Sequence, residues 1–444
     1  MNSSMSYPQK MDIFSPPAYS CNEVTTARVR FPATSQTALT NPGNDIRIPI
    51  MGSFLLDAQK GLNLNLNLKI SSATAPTIDF SLFNLFSEIR VEAGANSGQL
   101  LDQIYEPGHA HAMWSQYTWS QNDISVQNAK GLSMLQQPVV ASSLLTKAGS
   151  TLAIGNADNL VTLDLSQVLG IFNTQALPLY DTQGITVICV MNTLTNGVAG
   201  VTNTPVWTIN DVSITGTVIY AGDTYVKALR DKKSSSDVSI MCTSVNRSTI
   251  NITGGGASGY NTLLVGDKRR SCLGYFATAR VTGDLVDGTN ALYKNSCSLF
   301  PAWLSHQFSI GSKNYPQYIL NQPGDAIDEA YDTMSHLSRS KYNGGGLLAR
   351  TQSATAANDG AAGASATRNS ITGQTHVLCV NLANCPASEA RETFGTGLDT
   401  ISNNATTYLN TTFTPAAVAY TINVYSIFQR MIMISKDGTM REVS

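Results

Sequence analysis

The sequence predicts an all-β chain of two tandem antiparallel sandwiches or jelly rolls, with short helices in the connecting loops. Three observations carry this. One segment alternates apolar and polar residues at every step, many short strand-like segments follow with turn residues between them, and two Pro-Gly turns sit about half a chain apart. A length of 444 residues exceeds one ordinary sandwich and suits two domains of roughly 200 residues each.

Residues 1–42, with Pro8, Pro16 and Pro17, read as a polar N-terminal arm, and residues 43–230 as the first roll. The run Leu62-Asn63-Leu64-Asn65-Leu66-Asn67-Leu68-Lys69-Ile70 places five aliphatic side chains on one face of a strand and polar ones on the other. On a helix the same leucines would spread all round. Further strands are expected at Glu88–Glu92, Leu100–Tyr105, Asn159–Leu165, Gly184–Met191 and Trp207–Tyr220. The polar stretch Arg230–Ser236 reads as a flexible domain boundary. The second roll then occupies residues 231–444, with strands beginning at Val238 and at Tyr275–Val281, Gln307–Ile310, Thr375–Leu382, Ala419–Ile427 and Arg430–Ser435. Lys436-Asp437-Gly438 reads as a turn. A helix is expected over Asp325–Arg339, with Asp325 as N-cap and Ile327, Ala330, Tyr331, Met334 and Leu337 in one apolar stripe. A second helix follows Pro107-Gly108. The Gly-, Ala- and Ser-rich residues of about 343–374 read as an exposed loop of the second roll.

Charge is the unusual feature of the composition. Asp, Glu, Lys and Arg make up 13% of the chain, about half the ~25% of a typical soluble protein. Much of the surface is therefore expected to face other protein. The formal net charge is −2 and no long basic block occurs, so sequence-specific or tail-mediated nucleic-acid binding is not expected. The seven cysteines are scattered without a CxxC pair. They fit neither a disulfide framework nor a zinc site and read as buried free thiols. The first 19 residues contain no apolar signal-like segment, and no run of ~18 apolar residues suggests a membrane span.

The sequence offers no catalytic constellation. Among five histidines, His109 and His111 form the one close pair, and on a helix that spacing turns the two rings about 200° apart, too far to share a metal. Gly254-Gly255-Gly256 lacks the Lys-Ser/Thr of a phosphate loop, and neither a nucleophile elbow nor an HExxH motif occurs. The expectation is no catalytic, cofactor-binding or metal residues, and no enzyme.

Several segments, taken in order, resemble the double jelly-roll major capsid proteins of the tectivirus–adenovirus lineage, particularly those of virophages and polinton-like viruses. These are Phe83-Asn-Leu-Phe-Ser-Glu-Ile-Arg-Val-Glu-Ala-Gly94 followed by Gln99–Tyr105, Leu177-Pro-Leu-Tyr180 ahead of Gly184–Cys189, Val206–Ile214, and Gly311-Ser-Lys-Asn-Tyr-Pro316 ahead of the second-roll helix. The resemblance implies two eight-stranded jelly rolls standing upright. It further implies a homotrimeric, pseudo-hexameric capsomer in an icosahedral shell around the genome. Its partners would be neighbouring capsomers, penton and minor or cement proteins, with an internal membrane as a further contact. The location would be the virion, after synthesis in the host cytoplasm or nucleus. Two other classes fit an all-β, charge-poor chain: a non-viral tandem sandwich that binds carbohydrate or mediates adhesion, and a hydrolase built on a β-sandwich.

Overall fold

The computed structural model describes residues 24–34, 43–57, 61–71, 77–78, 81–94, 98–119, 138–141, 144–147, 158–173, 176–193, 198–199, 206–253, 259–283, 298, 300, 303–337, 376–384, 395–402, 405–413 and 419–443. Within them the strands build two antiparallel sandwiches. In the first, one sheet runs β10 (Asn159–Asp164), β4 (Asn63–Ser71), β14 (Val206–Tyr220), β3 (Leu55–Asp57), β11 (Leu177–Pro178), and β1 (Thr25–Pro32) also pairs with β14. The sheet facing it runs β2 (Asp45–Ile50), β12 (Ile185–Met191), β6 (Phe86–Ala93), β7 (Gln99–Tyr105). In the second sandwich, one sheet runs β15 (Val238–Ile252), β22 (Tyr420–Ile434), β17 (Cys272–Val281), β20 (Leu378–Asn381), with β23 (Met440–Val443) also on β22. Its partner sheet runs β16 (Gly259–Val265), β21 (Thr407–Phe413), β18 (Ser305–Ile310), β19 (Lys313–Leu320). Two short ladders join β5 (Thr77–Ile78) to β13 (Val198–Ala199) and β8 (Pro138–Ala141) to β9 (Leu144–Lys147).

The two sandwiches match strand for strand. The set β1, β14, β4, β10 has the connectivity of β15, β22, β17, β20, and β2-β12-β6-β7 has that of β16-β21-β18-β19. Each is a jelly roll. The repeated Pro-Gly turns fall at matching places. Pro107-Gly108 opens α1 (Pro107–Thr118) after β7, and Pro323-Gly324 opens α3 (Pro323–Ser335) after β19.

Local sequence explains most elements. Leu64, Leu66, Leu68 and Ile70 of β4 are buried in the first core, as the alternation requires. In α3, Ala330 and Met334 are buried and Tyr331 packs beside them, with Leu337 buried just beyond the helix, which ends at Ser335, short of the expected Arg339. The helix begins two residues earlier than expected. Gln322 is its N-cap and Asp325 lies in the first turn, because the fixed φ of Pro323 suits the first helical position.

Other expectations need correction. The N-terminal segment read as an arm contains β1, which pairs in register with β14 from Thr25↔Tyr220 to Pro32↔Ser213. Mostly exposed and carrying few apolar residues, it gave no alternating signal. The polar boundary at 230–236 is largely helical, belonging to α2 (Asp223–Ser235). Asp223 sits in its first turn and Lys232 and Lys233 in its last, the arrangement that the helix dipole favours. The segments 419–427 and 430–435 are one unbroken strand, β22. Residues 343–374 lie outside the described residues, as do 1–23, Cys297 and Cys385.

β22 explains why its run lacks alternation. It pairs with β15 across 15 residues and with β17 on its other edge, and nearly every side chain is buried. One face of this sheet, with Tyr425, Ile427, Phe276 and Cys379, joins the core of the first roll. The opposite face, with Ile422, Val424, Tyr275, Ala277 and Val380, joins the second core. A sheet covered on both sides reads as a continuous apolar run. Phe276 stacks on Tyr425 with ring centroids 4.6 Å apart. Phe276→Ala is expected to cost about 3–5 kcal/mol, whereas Leu160→Ala, at a position 68% exposed, should stay within ~0.5 kcal/mol; chemical denaturation of the two variants checks the contrast.

Candidate functional site

The most elaborate constellation of polar groups lies where the first roll meets the covered sheet of the second. Two carboxylates organise it, one buried and one half-buried. Asp102 of β7 is 1% exposed. It accepts hydrogen bonds from Ser244 Oγ of β15 at 2.9 Å and from the Ile171 amide at 3.0 Å. Arg430 of β22 lies 3.5 Å from it and donates to the Leu101 carbonyl at 2.6 Å. Arg430 also pairs with Glu442 of β23 at 3.2 Å. One side chain thus gathers β7, the 3-10 turn Gly170–Asn173, β15 and β22.

Glu106 forms the second centre, at the head of α1. Its backbone is left-handed, with φ 46° and ψ 57°. There it pairs with Arg280 of β17, and with Arg247 of β15 at 2.7 Å. Asn423 of β22 donates to the same carboxylate at 3.2 Å. Burial pushes the Glu106 carboxyl up, but the guanidinium groups of Arg280 and Arg247 outweigh it and hold the pKa down to about 2. Next to it, His109 shares a 2.9 Å hydrogen bond with Thr278 of β17.

Backbone contacts close the rest of the junction. A Cβ on Gly170 would stand 2.1 Å from the Thr243 carbonyl of β15, so only glycine permits that approach. α2 is tied to the first roll by Lys233, which donates to the Asp181 carbonyl at 3.1 Å, and by Arg230 on the Asp181 carboxylate at 2.6 Å.

The two histidines singled out in sequence both lie on α1, and their side chains part company. His109 reaches the second roll, while His111 is enclosed by Phe83, Trp114 and Trp119. His306 and His376 lie in the second core beside Trp303. Burial lowers His306 to about 4, and burial with the neighbouring His306 lowers His376 to about 3. Cys189, Cys242, Cys272 and Cys379 are buried free thiols, and burial raises Cys189 and Cys272 to about 12. Such thiols are poor nucleophiles. Among the described residues no group of three or more His, Cys, Asp or Glu could hold a metal, and no helix is long and apolar enough to cross a membrane. What the junction does is mechanical: carboxylates of the first roll, paired with arginines of the second, fix one relative placement of two sandwiches. Nothing in the sequence marked Asp102, Glu106, Arg280 or Arg430. They are single charges in otherwise ordinary strands or at a helix start, and only the fold brings them together.

Two predictions follow from this geometry. Asp102→Ala leaves Arg430 buried without its carboxylate and should cost about 3–5 kcal/mol, whereas Arg230→Ala, in an exposed pair, should cost ~1 kcal/mol or less. Stability should also fall in acid. Glu106 is depressed, so its contribution is present above about pH 4.5 and lost as pH falls towards about 2. His306 and His376 are kept neutral by burial, so the unfolded chain takes up their protons first and stability declines as pH falls from about 6.5 towards 4 and 3. Melting temperatures at a series of pH values should fall steadily below about pH 6.5, and a flat profile down to pH 4 would contradict this.

No protein-family model and no curated protein sequence matches the chain. Solved structures do. PBCV-1 VP54, fitted into a reconstruction of the virophage Sputnik, superposes with a TM-score of 0.59 at 11% identity, covering 95% of this chain and 97% of the other. The Faustovirus major capsid protein gives 0.54 at 9% identity, over 93% and 91%. The mavirus major capsid protein gives 0.50 at 10% identity, over 100% and 96%. At such identities the likeness is one of fold, and it extends over both rolls and the junction between them. The chain is a double jelly roll, as are the viral capsid proteins it resembles.

Proposed function

We propose that this chain is a viral major capsid protein whose copies assemble into trimeric, pseudo-hexameric capsomers of an icosahedral shell. The observation that carries this reading is the near-complete, two-way coverage between this chain and capsid proteins such as that of mavirus, with neither chain holding a large part that the other lacks. The junction supports it. A shell tile has to present two rolls in one fixed arrangement, and the pairs of Asp102 and Glu106 across the junction do that here. The low charge supports it too, since large protein contacts are depleted of charged residues at their centres.

In this reading the chain acts as a structural protein of the virion and not as an enzyme, and takes no cofactor. The rolls divide within α2, close to residue 230, so that residues 43–230 with β1 form one upright sandwich and residues 231–444 the other. Its partners are two further copies, adjoining capsomers, and penton and minor capsid proteins. With a net charge of −2 and no basic block, it encloses the genome without sequence-specific contact. The alternative of a non-viral carbohydrate-binding or adhesion module has no comparable support.

The test is the mass of the purified chain in solution. A stable species of three times 47.4 kDa is expected. A monomer that persists at high concentration would overturn the proposal.

A further inference from the structure

The second core encloses a pair of histidines with no counterpart in the first roll. His306 lies on β18 and His376 two residues ahead of β20. The equivalent strands of the first roll, β6 and β10, carry no histidine. His306 is 1% exposed and His376 2%. Both pack on Trp303, with ring centroids 5.5 and 4.8 Å away, and Phe300 meets His376 edge to face at 6.1 Å. Because β18 and β20 belong to the two facing sheets, the rings stand between the layers of one sandwich.

The hydrogen bonds fix which nitrogen is basic. His306 Nε2 lies 3.2 Å from the Cys379 carbonyl. A carbonyl only accepts, so Nε2 carries the hydrogen and Nδ1 is the nitrogen that takes up a proton in acid. Among the described residues, His306 Nδ1 and both ring nitrogens of His376 have no partner. A proton there is a charge without an acceptor in an aromatic enclosure. Nor does a described carboxylate face the pair. Arg280 and Arg247 turn to Glu106, Arg430 turns to Asp102, and Asp267 pairs with Arg269. On α3, Glu329 takes the Asn381 amide, and His336, just past the helix, bonds the Asn381 side chain. Asp325, Asp328, Asp332 and Lys313 are exposed. The ionisable members of the second core itself are Cys272, Tyr275 and Tyr420, with Tyr315 packed beside it. Thiols and phenols supply no negative charge in acid.

We propose that His306 and His376 form an acid latch: protonation of both rings lifts the sheet β16-β21-β18-β19 from the covered sheet while the junction with the first roll stays closed. Opening hydrates the two cations and separates like charges. It also releases the His306–Cys379 hydrogen bond, which ties one layer to the other. Burial lowers His306 to about 4, and burial with the neighbouring His306 lowers His376 to about 3. In the opened state the same rings regain an ordinary value of about 6.5. The opened state therefore binds protons first, and opening is favoured progressively as pH falls below about 6.5. The junction behaves differently. Arg280 and Arg247 hold Glu106 down to about 2, so it keeps its charge and its partners through this range. The histidine of the junction, His109, stands beside that same carboxylate and gains its charge next to an anion. The latch lies within a single chain and stands apart from the assembly proposed above.

The experiment is hydrogen–deuterium exchange of the full-length protein between pH 7.5 and 4.5, corrected for the intrinsic pH dependence of exchange. Peptides covering β18, β20 and β21 are compared with peptides covering β6 and β12. At pH 5 the opening constant of the second-roll peptides is expected to rise roughly 30-fold for each ring, or about 1000-fold for the pair, while the first-roll peptides keep their protection. His306→Gln, whose amide can still donate to the Cys379 carbonyl, and His376→Gln should each remove about 30-fold of that rise. His111→Gln, which changes the enclosed histidine of the first roll, should remove none of it. Should the glutamine variants fail to fold, the wild type alone decides. The logarithm of its second-roll opening constant should climb with a slope approaching two protons per opening below pH 6. A slope near zero would overturn the latch. So would an equal acid response in both rolls, or a response that survives both substitutions at His306 and His376.

Discussion

The sheet β15-β22-β17-β20 is the constraint on which the rest of the structure depends, because along β22 and β17 both of its faces are covered. Tyr425, Ile427 and Phe276 belong to one core and Val424, Tyr275 and Ala277 to the other. Removing the first roll would strip an apolar layer from the second, and the reverse also holds. Hydrophobic burial supplies the adhesion, but it is non-directional. Direction comes from the charges set within the same plane. Arg280 and Arg430 emerge from the covered face, and each meets a carboxylate held by the first roll. Buried pairs of this kind add little net stability, and they penalise every placement in which a partner is missing.

How much of this was legible in the sequence varied with the physics of each element. β4 was plain, since a strand with one wet side must alternate, and Leu64 to Ile70 do so. The helices at Pro107 and Pro323 were legible from their turns and stripes. β22 was read in two pieces because a doubly covered strand loses the period-two signature on which such reading rests. β1 escaped because an edge strand is held by its ladder with β14 more than by its own side chains. α2 lacks an apolar stripe, and its composition resembled a linker. The junction residues were hidden for a deeper reason. Asp102 and Arg430 stand 328 positions apart by their numbering, and no local pattern links them. The low overall charge, by contrast, is visible at once in the sequence, and it poses the question of what the surface meets.

Duplication of one topology left the two rolls free to diverge in surface chemistry while sharing a frame. The equivalent sheets β2-β12-β6-β7 and β16-β21-β18-β19 have the same order, yet one carries an arginine ringed by carboxylates and the other a row of tyrosine, leucine and hydroxyl groups. The inward positions are conserved in kind because a core accepts little else. The outward positions are unconstrained by folding, so their difference reports on what each sheet meets.

Gly170 seated against the Thr243 carbonyl, together with the short tether of α2, has a mechanical corollary. Among the described residues the two halves meet without a gap, which leaves no hinge between them. The two rolls move as one block. In any assembly of such molecules, changes of angle would have to arise where separate molecules meet and not within one of them.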